Sequence, residues 1–220
     1  MADGALSRVG LVLAIWGAGL GAAAQFGKIS VIYDRLAGIY TGQAGTAGMG
    51  FMVSVVGLVG LVFGTTAGLV VQRSGLRRVL VGGLALGAAL SAAEAVLPPY
   101  PVMMILRALE GVSQLAIVVA GPVLIAQVTM TRWQGLAMTL WASFFGVSFA
   151  LTALVAPSLV AAFGVPGLFL GHALWMAGFA LLLRGMLPGD LRGITPPLRL
   201  ADLPALHGAI YGSPRVAAPA

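Results

Sequence analysis

Long apolar runs recur along this chain, separated by short polar turns, and their length decides what they are. A helix needs about 20 apolar residues to cross the hydrocarbon core of a bilayer. Runs of that order cover about 9–26, 49–71, 79–97, 102–130, 136–163 and 168–187. The intervals are of different kinds. Gly27 to Gly48 is glycine-rich and carries Lys28, Asp34 and Arg35, which predicts a polar, mobile loop. Gln72-Arg73-Ser74-Gly75-Leu76-Arg77-Arg78 predicts a tight basic turn. Pro98-Pro99-Tyr100-Pro101 interrupts a helix, because proline lacks the amide hydrogen and restricts its neighbour. Thr131-Arg132-Trp133-Gln134 and Gly164-Val165-Pro166-Gly167 predict the last two turns. The pattern predicts an all-α fold: a polytopic membrane protein with six transmembrane helices within residues 1–187. Residues 188–220 mix Pro, Asp, Arg and His and hold no run of spanning length, so they predict a solvent-exposed linker.

The first run has a competing reading. Arg8 followed by an apolar stretch and Ala22-Ala23-Ala24 imitates a signal peptide with its cleavage site. A signal peptide's apolar region covers roughly 7–15 residues. The run here is longer, which favours a membrane span.

Composition agrees with the lipid reading. The 220 residues are 60% hydrophobic and 8% charged, with a mean hydropathy of +1.03. Soluble domains carry roughly 25% charged residues, so lipid must cover much of this surface. No room is left for a soluble catalytic domain. The absence of cysteine excludes disulfides, thiolate metal sites and cysteine nucleophiles. A net charge of +6 would suit nucleic acid. The basic residues form no stripe, however, and sit at the ends of apolar runs.

Their distribution sets orientation, because basic residues collect in cytoplasmic loops. Arg8, Arg73, Arg77, Arg78, Arg132, Arg184, Arg192, Arg199 and Arg215 fall on one side. Lys28 and Arg35 fall on the other, and Arg107 lies inside a span. The expectation is a bacterial inner (plasma) membrane protein with both termini cytoplasmic.

Three features carry a resemblance. The turn after the second run places Gly68, Arg73, Gly75, Arg77 and Arg78 in a Gly, basic, Gly, basic-basic pattern. The fourth run holds Arg107 four residues before Gly111, with Glu110 between them. A basic tail follows the sixth run. Together these resemble the amino-terminal six-helix half of the major facilitator superfamily, over the whole chain. Gln72 stands where that family usually has Asp, and Leu76 where it usually has a basic residue. Gln72 hydrogen bonds but cannot ionise. Ala156-Pro157 is a poor match to the Gly-Pro of the antiporter branch. The resemblance implies a secondary active transporter moving a small solute by alternating access, with proton coupling. It implies that Gly68, Gln72, Arg73, Gly75, Arg77 and Arg78 form a conformational loop. It also implies that the tail leads towards a seventh helix, because the family has twelve.

Arg107 is the sharpest candidate for substrate or coupling chemistry. It lies about 9 Å along its helix from Pro101, and a charge inside a span usually faces protein or a water-filled cavity. Glu110 and Gln114 continue its face. An Arg with an ionisable partner binds an anion or responds to a proton; a plain Arg–Glu staple is the structural alternative. Glu94 lies near the outer end of the third run, as a pairing or snorkelling residue. Gln25, Ser148 and Thr152 are candidate cavity polars, although Ser and Thr in such helices often bond back to their own backbone. Trp141 and Phe145 predict an aromatic wall or a packing pair. Gly57, Gly60, Gly64 and Gly68 share a face that suits close helix packing or sliding. Gly146-Val-Ser148, like Gly111-Val-Ser113, with His172 superficially supplies an intramembrane serine protease, but no oxyanion donor accompanies them.

The chain is therefore expected not to be an enzyme, and to need no cofactor or metal. Its expected partners are a small solute, with Arg107 favouring an organic anion, protons, as the resemblance implies, and the lipid bilayer. A missing carboxy-terminal six-helix half or a second copy completes the path. A dimerising half-transporter and a non-transporting membrane subunit remain the alternatives to a truncated half.

Overall fold

The computed structural model describes residues 2–188, with the side chains of 2–7, 65, 66, 69, 70, 72 and 73 outside that description. The expected linker, residues 189–220, also lies outside it. The described chain is helical and contains no strand: α1 (Ala2–Val31), α2 (Tyr33–Ser74), α3 (Leu76–Glu94), α4 (Tyr100–Val128), a 3-10 turn at Thr131–Trp133, α5 (Gln134–Ala142) and α6 (Phe144–Met186). Among the described residues, five stretches are long and apolar enough to cross a membrane: Arg8–Val31, Tyr33–Gly64, Leu76–Glu94, Tyr100–Val128 and Thr131–Met186.

The last stretch is too long for one crossing. Its 43-residue helix α6 would extend about 65 Å if straight, twice the hydrocarbon thickness of about 30 Å. It breaks at Gly164, where φ is 70° and ψ is −175°. An L-residue rarely adopts that backbone, whereas glycine does so freely. The contacts show the chain reversing there. Ser143 meets Trp16 and Ser148 meets Leu20, so the first arm runs parallel to α1. Beyond the break, His172 meets Gly21, Trp175 meets Gly17 and Met186 faces Gly10, so the second arm runs antiparallel to it.

The mirror relation holds on the other side of the bundle. Gly48, Met52 and Val56 of α2 lie beside Tyr100, Arg107 and Gly111 of α4, in that order. Thus α2 and α4 run parallel, as α1 and the first arm of α6 do.

The glycine-rich interval after the first run is not a loop. α1 continues through Lys28 to Val31, and α2 begins at Tyr33 and bends at Gly45. Ile29, Ile32, Leu36 and Tyr40 supply a helical stripe of buried side chains. The Tyr40 hydroxyl donates to the Pro98 carbonyl oxygen at 2.8 Å. Tertiary packing thus overrides the low helix propensity of the glycines.

Buried apolar residues form two separate clusters. The larger includes Leu11, Ile15, Leu80, Leu84, Leu124, Trp141 and Leu183. The smaller includes Ile29, Leu36, Tyr40, Met52, Met103 and Phe169. Along α1, α3, α4 and α6 the two clusters are separated by the residues that matter next.

Candidate functional site

Each of four helices interrupts its apolar sequence with polar residues at the same depth. These are Gln25 and Lys28 on α1, Ser91 and Glu94 on α3, Arg107, Glu110 and Ser113 on α4, and His172 on α6. In α1, α3 and α4 the spacing is three residues, which keeps such pairs on one helix face. Lys28 is 1% exposed, and Glu94, Arg107 and Glu110 are fully buried.

Lys28 is the hub. Its ammonium lies 2.5 Å from Glu94 Oε2 and 2.6 Å from Glu110 Oε1, and donates to Ser91 Oγ at 2.9 Å. It also sits 5.0 Å above the Phe169 ring. Arg107 pairs with Glu110 through Nη1, donates from Nε to the Met52 carbonyl oxygen at 3.2 Å, and approaches Glu94 Oε1 at 3.9 Å. Two cations face two carboxylates, so the quartet sums to zero charge. Removing ions from water costs several kcal/mol each, and only close pairing offsets that cost.

His172 closes the network. Nε2 lies 2.9 Å from the Gly21 carbonyl oxygen, which only accepts, so Nε2 carries a hydrogen. Nδ1 lies 2.9 Å from Ser91 Oγ. Ser91 in turn lies 2.9 Å from the Phe169 carbonyl oxygen. With a neutral ring, the hydroxyl hydrogen has two acceptors, Nδ1 and that carbonyl. Nδ1 also lies 3.4 Å from the Lys28 ammonium, which only donates, so Nδ1 serves as an acceptor here.

The remaining candidates divide. Gln25 is buried and donates through Nε2 to Ser113 Oγ at 3.0 Å. Gln114 is half-buried and sits outside the network; Ser113, one residue earlier, takes the place expected for it. The Ser148 hydroxyl donates to the Leu20 carbonyl oxygen and that of Thr152 to the Ser148 carbonyl oxygen, both at 2.7 Å. These hydroxyls therefore satisfy backbone. Both nevertheless line a cavity of about 180 Å³ between α1 and the two arms of α6, with Lys28 and His172 also in its wall. Trp141 packs against Phe144, Phe144 meets Phe145 edge-on at 5.9 Å, and Phe145 stacks on Phe149 at 5.2 Å, so the two expected partners are joined through Phe144.

In the basic turn, Gly75 adopts φ 87° and donates its amide to the Val71 carbonyl oxygen, ending α2 and starting α3. Arg77 donates to the Arg184 carbonyl oxygen. Arg77, Arg78 and Arg184 line one pocket of about 300 Å³. The side chains of Gln72 and Arg73 lie outside the described residues. A Cβ added at Gly60, Gly64 or Gly68 would meet nothing within 4 Å, whereas one at Gly57 would touch Phe26. The expected packing seam therefore has almost no partner among the described residues.

Residues 11–215 match the family profile described as Major Facilitator Superfamily. The chain belongs to the major facilitator superfamily. No curated protein matches it. Membership makes this a multi-pass membrane transporter of the major facilitator type, a class of transporters rather than enzymes. The protease geometry finds no support, since no hydrogen bond joins Ser148 to His172 among the described residues.

Sequence reasoning missed Lys28, Ser91 and Ser113, and discounted His172. The signal was present. Gln25/Lys28, Ser91/Glu94 and Arg107/Glu110/Ser113 repeat one three-residue spacing in otherwise apolar surroundings.

Proposed function

We propose that this major facilitator protein is a secondary active transporter that couples a small solute, an organic anion, to protons by alternating access. The observation that carries the reading is the zero-sum quartet Lys28, Glu94, Arg107 and Glu110, buried between two apolar clusters. Its members come from three helices, so a proton added to either carboxylate weakens bonds between helices. Proton binding and helix rearrangement are then linked, as coupling requires.

The bundle crosses the membrane six times, the two arms of α6 supplying the fifth and sixth crossings. The parallel pairing of α1 with α6 and of α2 with α4 supports two three-segment units related as an inverted repeat. Arg8, Arg77, Arg78, Arg132 and Arg184 mark the cytoplasmic side, where both termini lie. With Lys28 buried, Arg35 alone of the described basic residues stands at the opposite end. A second six-helix unit, from a carboxy-terminal half or another copy, forms the other wall of the path. Exposed Phe51, Leu58, Leu61, Val62 and Phe63 on α2 give it an apolar face to meet.

The test is flux into liposomes reconstituted with the chain, with and without an imposed pH gradient. Gradient-driven uptake of a small anion that vanishes in Arg107→Ala supports the reading. Coupled uptake that survives both Arg107→Ala and Lys28→Ala counts against it.

A further inference from the structure

The cavity between α1 and the two arms of α6 has a chemistry the quartet alone does not explain. Its walls are apolar, from Leu20, Leu151, Val155, Leu159, Leu168 and Trp175. Ser148 and Thr152 give their hydroxyl hydrogens to backbone carbonyls and offer a ligand only acceptor lone pairs. Neutral His172 has its one ring hydrogen committed to Gly21. Among the described residues, Lys28 is therefore the one charged group in the lining, and no carboxylate lines the wall. A cation in an otherwise apolar pocket selects an anion with an apolar body. The pocket is half-open, with Leu151, Val155 and Trp175 partly exposed, and its volume of about 180 Å³ compares with the roughly 150 Å³ closed apolar cavity that accepts benzene. A single ring carrying one small head group fits that size.

The ammonium is already shared by Glu94 and Glu110. An anion entering beside it takes the buried quartet from zero to one net negative charge, which a low-dielectric interior penalises heavily. One proton taken up by Glu94 or Glu110 restores zero and releases an ammonium hydrogen for the newcomer. The groups facing this exchange are Lys28 on α1, Glu94 on α3, Arg107 and Glu110 on α4, His172 on α6, and the Tyr40 hydroxyl on α2, which is held by Pro98.

We infer that this cavity binds a small aromatic monocarboxylate, ring against the α1–α6 walls and carboxylate on Lys28, and that each molecule bound brings one proton to the Glu94–Glu110 pair. The inference rests on the transport reading for its role as substrate site, and adds the substrate class and the origin of coupling. No bond to carbon forms or breaks. One carboxylate replaces another on an ammonium, and the displaced one leaves as its acid.

The experiment is calorimetric titration of the purified full chain in lipid nanodiscs with benzoate, benzamide and benzylamine, in two buffers of different ionisation enthalpy. Benzoate should bind at least about tenfold tighter than benzamide, because only the anion pairs with Lys28. Benzylamine should not bind. The buffer difference should report about one proton taken up per benzoate, the amount that keeps the quartet neutral. Ala24→Leu, which fills the cavity from α1, should abolish binding while helicity and thermal unfolding stay native. Equal affinity for benzoate and benzamide overturns the inference, as does binding without proton uptake, binding untouched by Ala24→Leu, or no binding to the folded chain. Liposome flux separates the two readings. pH-driven flux of another solute without benzoate binding removes this inference and keeps the transporter. Benzoate binding with proton uptake but no flux keeps the cavity and removes the transport role.

Discussion

Two buried regions of the same bundle obey different physics. In the larger apolar cluster, Leu11, Ile15, Leu80, Leu84, Leu124 and Leu183 pack side chain to side chain. About three to five turns away along α1, α3 and α4, Lys28, Glu94, Arg107 and Glu110 are buried just as deeply but held by charge. Within a bilayer, apolar contact between helices gains little over contact with lipid, so close fit rather than water exclusion holds the first region. The second depends on exact charge balance and on proton occupancy. The packed cluster consists of apolar side chains that do not titrate, and the charged layer holds the carboxylates that a proton can change.

The largest break in that contrast is Lys28→Met. It strands two carboxylates with one guanidinium, and removing one partner of a buried pair costs about 3–5 kcal/mol. The midpoint of thermal unfolding in detergent should fall sharply. Adding Glu94→Gln should recover much of the stability without recovering coupled flux. If the single variant unfolds like the native chain, the quartet does not hold the bundle.

A smaller loss is expected on the apolar side. A side chain at Gly121 would run into the Trp141 ring, so Gly121→Val should cost about 1–3 kcal/mol by overpacking. Its proton uptake on ligand binding should stay native, measured by the same two-buffer calorimetry. An altered proton count would show that the two regions are not independent.

His172→Gln sharpens the comparison further. It disturbs the hydrogen bonds to Gly21 and Ser91 at a net cost of about 0.5–1.5 kcal/mol each, while leaving the quartet's charge sum intact. Flux should persist but with a changed pH profile, recorded as initial uptake rate against pH. An unchanged profile would assign His172 to structure alone.

The smallest effect belongs to Gly60→Ala. A Cβ there meets nothing in this bundle, and alanine is favoured over glycine within a helix by about 0.5–1 kcal/mol. Thermal unfolding of the chain should rise slightly. A loss of flux beside that gain would locate the second six-helix unit against this face of α2.

How far the sequence could be read follows the same division. The apolar runs were legible because spanning a bilayer fixes their length and composition. The turns at Gly75 and near Gly164 were legible because glycine supports backbone that other residues avoid. Arg107 and Glu110 stood out as charges within an apolar run. Lys28 did not, because a lysine in a glycine-rich interval reads as a loop residue until its partners are known. Gln114 was chosen over Ser113 because helical spacing admits both i+3 and i+4 neighbours. The choice rests on which neighbour the facing helix reaches, and Gln25 reaches Ser113.

By itself, the amino-acid order determined an all-α membrane chain, the family to which it belongs, and the helices that carry Glu94, Arg107 and Glu110, since each of these depends on residues close together in sequence. The tertiary structure alone decided that Lys28, Glu94, Arg107, Glu110 and His172 share one buried layer. Those partners are separated by up to 144 positions, and a buried charge declares its role only through the opposite charge that packing brings to it.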